Sequence, residues 1–183
     1  MRHGEPDIPK LPAKVTSKEF FQCLEIYKSC GLLKNALPHE KTQAKFHDVK
    51  AIVASDLKRS LQSATRLAPQ QPLIVDPLFR EIDGCFFPIP IIKLPPETWG
   101  NIYIVLWLAG LFEWNKSFRV GKASAKDGAN KLVRLAEEHE KVLFVGHGFI
   151  NKYIAKELRL QGWTGPKLPS KGYWDYGVYY KKQ

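Results

Sequence analysis

Apolar residues fall along this chain in short blocks, and the blocks change period as they go. Ser17 can cap a helix running to about Gly31, with Phe20, Phe21, Cys23, Leu24 and Tyr27 on one face and the glycine as its stop. Residues 5–16 before it carry Pro6, Pro9 and Pro12 and read as loop. Lys50 to Ser55 is a short apolar, β-branched run, the pattern of a buried strand. It runs into Asp56 and then a stretch of helix formers to about Ala68, with Ser55 and Asp56 as caps and Pro69 as the stop. Leu73 to Val75 predicts another strand. Pro88, Pro90, Pro95 and Pro96 make 84–99 largely loop. Helices are predicted over Glu97–Trp114 and Ala123–Glu140, the second with Leu132, Leu135 and Ala136 inward. Val142–Val145 reads as a buried strand, Phe149–Leu160 as a helix, and Tyr173–Tyr180 as a final aromatic strand.

Strands alternating with helices imply βαβ units, hence an α/β fold: a three-layer sandwich whose mainly parallel central sheet is flanked by helices. Ligand sites of such sheets lie beyond the carboxyl ends of the strands. The residues expected there are Arg2, His3, Ser55, Asp56 and His147. Arg59, one turn into the following helix, points back over the same edge, and Glu81 follows the third strand closely.

Those side chains suit phosphate chemistry. Neutral imidazole is a competent nucleophile toward phosphorus. Arginine presents a planar fork that matches phosphate oxygens and stays charged. A second histidine can donate where charge gathers in the transition state, and a carboxyl of raised pKa can protonate the leaving oxygen. Arg2-His3-Gly4-Glu5, the run Ser55 to Ser60 with Gln62 and Ala64, Arg80-Glu81, and Gly146-His147-Gly148 occur in an order that resembles the histidine phosphatase superfamily, the group containing the cofactor-dependent phosphoglycerate mutases.

The resemblance implies a single domain over 1–183 with a small helical cap inserted at about 84–122. It implies that His3 becomes a phosphohistidine, that Arg2, Arg59 and His147, with Gly148, bind the phosphoryl group, and that Glu81 donates the proton, without metal or cofactor. The activity implied is hydrolysis of a small phosphomonoester; phosphoglycerate-mutase-like transfer and phosphate binding without catalysis are the alternatives. The chain departs from the family in three places. Only Met1 precedes Arg-His-Gly, where the family has a strand: either the start lies further upstream or that strand is absent, and its loss would leave the nucleophile poorly anchored. Pro9 stands six positions after His3, where asparagine is usual. The Gly-Glu-Ser ahead of the long helix is absent from 117–126.

Simpler roles compete for some of these residues. Arg59 could only pair with Asp56 at helical spacing. Glu81 could only pair with Arg80, and Glu5 or Asp83 could be the acid instead. His39, His47 and His139 lack such company and read as surface or helix-face residues.

Bulk properties add limits. A chain of 183 residues with 44% hydrophobic and 25% charged content can bury a real core. The net charge of +10 favours anionic partners. The lysines are scattered and no nucleic-acid module is recognisable, so no specific nucleic-acid partner is expected. Cys23 and Cys30 would lie about 10 Å apart on one helix, too far for a disulfide, and with Cys85 read as reduced thiols. The N-terminus is no signal peptide, and the longest apolar stretch, Ile102 to Phe112, is too short to span a membrane. A cytoplasmic protein is expected. Trp99, Trp107 and Trp114 exceed what one small helix can bury. The segment 99–114 could therefore line an apolar pocket, form a homodimer patch or touch a membrane surface.

Overall fold

The computed structural model describes residues 1–82, 91–109, 114–170 and 172–181, and the side chains of 107–108 and 114–118 lie outside that description. In chain order the elements are β1 (Val15–Thr16), α1 (Ser17–Ser29), α2 (Glu40–Ala44), β2 (Ala51–Ala54), α3 (Lys58–Leu67), β3 (Leu73–Val75), a 3-10 turn (Pro77–Phe79), β4 (Lys93–Leu94), α4 (Pro96–Leu108), α5 (Trp114–His139), β5 (Val142–Val145) and α6 (Gly148–Leu160).

The sheet has the order β3-β2-β5, all parallel, with Ile52 opposite Leu73 on one side and Leu143 on the other. Alternation along the strands sends side chains into two cores. Ile52, Ala54, Leu143 and Val145 pack with Ala64 and Leu67 of α3. Val53 faces the other way and joins Ala125, Ala129 and Leu132 of α5 and Ile150, Ile154 and Leu158 of α6. The result is the three-layer α/β arrangement that the periodicity implies. Residues 1–3 extend the sheet beyond β5. Gly146 N–H donates to Met1 O (2.9 Å), His3 N–H donates to Gly146 O (3.0 Å), and Arg2 bridges Gly146 in parallel register.

Several local expectations need correction. The cap of α1 is Thr16, not Ser17: Glu19 N–H donates to Thr16 Oγ1 (3.2 Å) and Thr16 N–H to Glu19 Oε2 (2.7 Å), a reciprocal capping box. Helix α1 stops at Ser29 in extended backbone at Cys30, so Gly31 is no left-handed cap. Helix α3 starts at Lys58, behind Leu57, with no side-chain cap. Asp56 instead binds Arg80. The predicted helix 97–114 ends at Leu108, and the next begins at Trp114, well before Ala123. Propensity hid that extension, because glycine interrupts it. Gly121 is there for contact: a Cβ on it would lie 2.5 Å from Ile82 Cγ2. The antiparallel pair of β1 and β4, where Val15 faces Leu94, was not predicted at all, since two-residue strands carry no periodic signal.

The aromatic run 173–180 forms no strand. It makes one isolated bridge, Tyr180 to Thr164, and Trp174 takes a positive φ of 63°. Its rings go to separate places. Tyr173 faces His3, Trp174 lies against Gly4, and Tyr176 meets Phe46 edge-on. Trp99 is 1% exposed, donates to Val15 O (2.8 Å) and stacks on Tyr103, so it belongs to the core rather than to a surface patch. The expected dimer segment 99–114 otherwise falls partly outside the described residues, as does the first part of the expected cap, 84–90. Cys23 and Cys30 are free thiols, and Cys85 lies outside the described residues. Among the described residues, no helix is long and apolar enough to cross a membrane.

Candidate active site

The carboxyl ends of β2 and β5, the stub at 1–3 and the start of α3 bring Arg2, His3, Arg59 and His147 together. His3 and His147 are both fully buried, with ring centroids 5.0 Å apart. The anchoring of His3 does not depend on a long preceding strand. Gly4 N–H donates to Ser63 Oγ (2.9 Å), whose hydroxyl donates to Arg59 O (2.7 Å). Trp174 N–H donates to Arg2 O (3.2 Å) and Arg2 N–H to Asp175 O (2.9 Å), closing the other side. Helix α3 also ties the strand ends together, because Ser60 Oγ donates to Val145 O (2.7 Å) and accepts from Ser55 N–H (3.2 Å). Serine in α3 is thus a strap between strands, a role that helix propensity does not announce.

The tautomer of His3 follows from its neighbours. Nδ1 lies 2.7 Å from Gly4 O, a group that only accepts, so Nδ1 carries the proton. The Nε2 lone pair then faces the Tyr27 hydroxyl at 3.1 Å. Burial, and next the Arg59 and Arg2 charges, hold the ring's pKa down at about 3, against the Gly4 hydrogen bond that raises it. The ring is therefore neutral at ordinary pH, with a free nucleophilic nitrogen. His147 Nε2 lies 2.7 Å from Ser55 Oγ. A Ser55 hydroxyl that donates there leaves the proton of neutral His147 on Nδ1. Burial, then His3 and the two arginines, push the pKa of His147 well below the ordinary value.

Arg59 is 1% exposed. Its Nη1 donates to Tyr27 O (2.7 Å), and its guanidinium lies 4.1 Å from the centre of the Tyr27 ring. Arg2 stands likewise over Tyr173, at 4.5 Å. Each arginine is thus backed by an aromatic face, which holds the planar fork in place. Arg59 does not pair with Asp56, and Glu81 does not pair with Arg80. Those partners take each other: Arg80 Nε donates to Asp56 Oδ1 (2.7 Å).

Glu81 is half-buried at the start of α6. It accepts from Ile150 N–H (3.0 Å), Phe149 N–H (3.1 Å) and Ile82 N–H (3.1 Å). Burial raises its pKa and outweighs these hydrogen bonds and the Arg59 charge, which lower it. Gly148 lies beneath it, since a Cβ there would be 3.6 Å from Glu81 Oε2. Asp83 lies outside the described residues, and Glu5 is exposed. Among the described residues, no three His, Cys, Asp or Glu side chains are placed to hold a metal ion.

Among the described residues, four buried side-chain polar atoms lack a hydrogen-bond partner, and three of them are here: Arg2 Nε, Arg59 Nε and His147 Nδ1. A buried donor left unmatched costs about 1–3 kcal/mol. Three such donors, on Arg2, Arg59 and His147 beside His3, suit an anion. A cavity of about 740 Å³ lies beside the two arginines, lined by Arg2, Arg59, Glu81 and Gly148 at one end and by α1 and α4 at the other.

Sequence reasoning missed Tyr27 and Tyr173. Tyr27 reads as one more apolar member of the α1 face. Its hydroxyl is the feature that sets it apart there, and only the fold shows what that hydroxyl meets.

The profile of the histidine phosphatase superfamily (branch 1) matches residues 39–169. The fold is similar to that of phosphoserine phosphatase from Entamoeba histolytica in complex with 3-phosphoglyceric acid. That pair has 19% identity and a TM-score of 0.55, and the likeness covers 87% of this chain and 77% of that one. A mutant of that enzyme in complex with phosphoserine gives 17% identity and a TM-score of 0.53, with the same coverage. No curated protein matches the chain.

Proposed function

Because the chain belongs to the histidine phosphatase superfamily (branch 1), we propose that it hydrolyses phosphomonoesters through a phosphohistidine on His3. Membership supports phosphatase or phosphoryl-transfer chemistry in general. The observation that favours this particular reading is the set of unmatched donors around His3 Nε2.

The steps follow from the residues. Arg2, Arg59 and the Nδ1–H of His147 take the phosphoryl oxygens, and the Tyr27 hydroxyl turns from Nε2 to the incoming group. Nε2 attacks phosphorus while the bond to the alcohol oxygen breaks. That oxygen keeps the electron pair and takes the proton of Glu81, whose raised pKa suits the task. The ring becomes cationic, and Gly4 O, already accepting from Nδ1, stabilises it. Water then attacks phosphorus and gives its proton to the Glu81 carboxylate. The phosphorus–nitrogen bond breaks back to Nε2, and phosphate leaves. The arginines supply the positive charge throughout, so the reaction is proposed to need no metal.

The test is release of p-nitrophenol from its phosphate ester with chelator present, in native protein and His3→Ala. Activity confined to the native chain supports the reading, and vanadate should inhibit it. Equal activity in His3→Ala overturns the phosphohistidine. Phosphate binding without turnover favours a binding protein, and an isomerised product in place of free phosphate favours a mutase.

A further inference from the structure

The cavity beside Arg2 and Arg59 has a wall unlike its floor. Phe20 and Leu24 of α1, Tyr103 and Ile104 of α4, and Phe149 of α6 line the outer part. Phe20 and Tyr103 stack with their planes 7° apart, which gives the wall a rigid aromatic panel. Most cations along the cavity are placed for other work: Arg2 and Arg59 sit at the phosphoryl end, Arg80 holds Asp56, and Lys28 holds Glu25. Lys152 of α6 also lines it and is exposed to water. At about 740 Å³ the space far exceeds a phosphoryl group and falls in the range of pockets that enclose a sizeable ligand.

Resting on the phosphatase reading above, we propose that the substrates are phosphomonoesters of large apolar alcohols, with the alcohol part lying against α1 and α4. A small ester bearing a carboxylate or ammonium group would lie against the aromatic and aliphatic side chains of α1 and α4 and would give up part of its hydration there. An alkyl or aryl group gains instead by leaving water.

An alkyl phosphate series isolates this effect, because the leaving-group chemistry stays constant from ethyl to hexyl. Each methylene that becomes fully buried raises kcat/KM by up to about fourfold. Phosphate release should therefore be at least about tenfold more efficient for hexyl than for ethyl phosphate. It should also be more efficient for hexyl phosphate than for phosphoserine or 3-phosphoglycerate. Ile104→Asp, and separately Leu24→Asp, should shrink the hexyl-to-ethyl ratio; two variants on different helices guard against a folding failure in one. A ratio near one, or preference for the two polar esters, overturns the proposal while leaving the phosphatase intact. Absence of His3-dependent release from every ester sinks the phosphatase reading instead. Equilibrium binding of hexyl against ethyl phosphate then decides the cavity alone, and equal affinities overturn it.

Discussion

Replacing His3 by glutamine should make the protein less sensitive to acid. His3 is fully buried, and its pKa is held at about 3 in the fold, against 6.5 for an unperturbed histidine. Its folded pKa is depressed, so between those values the unfolded chain binds a proton that the native chain refuses, and stability falls as pH falls. At about pH 5 the gap to the unfolded value is roughly 1.5 units, worth about 2 kcal/mol relative to neutral pH. Any folded value below about 4 gives the same figure, so the result does not hang on the depth of the shift. His147 adds a term of the same sign. Glu81 opposes both, because its raised pKa makes the native chain bind more protons than the unfolded one on acidification. Comparing native protein with His3→Gln cancels His147 and Glu81 alike. Urea unfolding at about pH 7.5 and about pH 5 should show the native chain losing about 2 kcal/mol more than the variant. Equal losses would refute a His3 that stays neutral in the fold.

Glu81→Gln should slow hydrolysis of alkyl phosphates about 10²–10⁴-fold, and of p-nitrophenyl phosphate much less, since p-nitrophenolate leaves without a proton. An equal loss on both esters would mark Glu81 as a cap of α6 and no more. Gly4→Ala puts a methyl group 2.3 Å from Trp174 Cζ2 and should cost about 1–3 kcal/mol of stability, read as a lowered Tm. An unchanged Tm would mean that Trp174 does not seat against residue 4. Asp56→Ala breaks a pair whose side chains are 27% and 58% exposed, and its unfolding free energy in urea should fall by less than about 1 kcal/mol. A larger loss would mean that this pair is more than a surface ion pair.

The sheet was legible because β2 and β5 are four-residue apolar runs, fully buried in β2 and alternately buried in β5, each followed closely by a helix. His3, Arg59 and His147 were legible as chemistry because a parallel sheet sends its strand ends to one edge. What could not be read was contact across the chain. Ser55 and Asp56 looked like helix caps, yet one hydroxyl meets His147 and the carboxylate meets Arg80. The run 173–180 has the composition of a strand, but Gly172, Gly177 and the positive φ of Trp174 let each ring find its own socket. Tyr27 shows the same limit: periodicity assigns its face, while its bond to His3 depends on where α1 lands.

His3 is held by residues from distant parts of the chain. Its backbone and ring neighbours include Ser63, Gly146, Tyr173 and Trp174, so its sequence separations approach the length of the chain. Closing such loops is entropically costly and comes late in folding. During synthesis, therefore, a nascent chain can complete α3 and β2 and still leave His3 without its surroundings. The surroundings of His3 should assemble abruptly, once the segment around Trp174 has been made and has folded back onto residues 2–4.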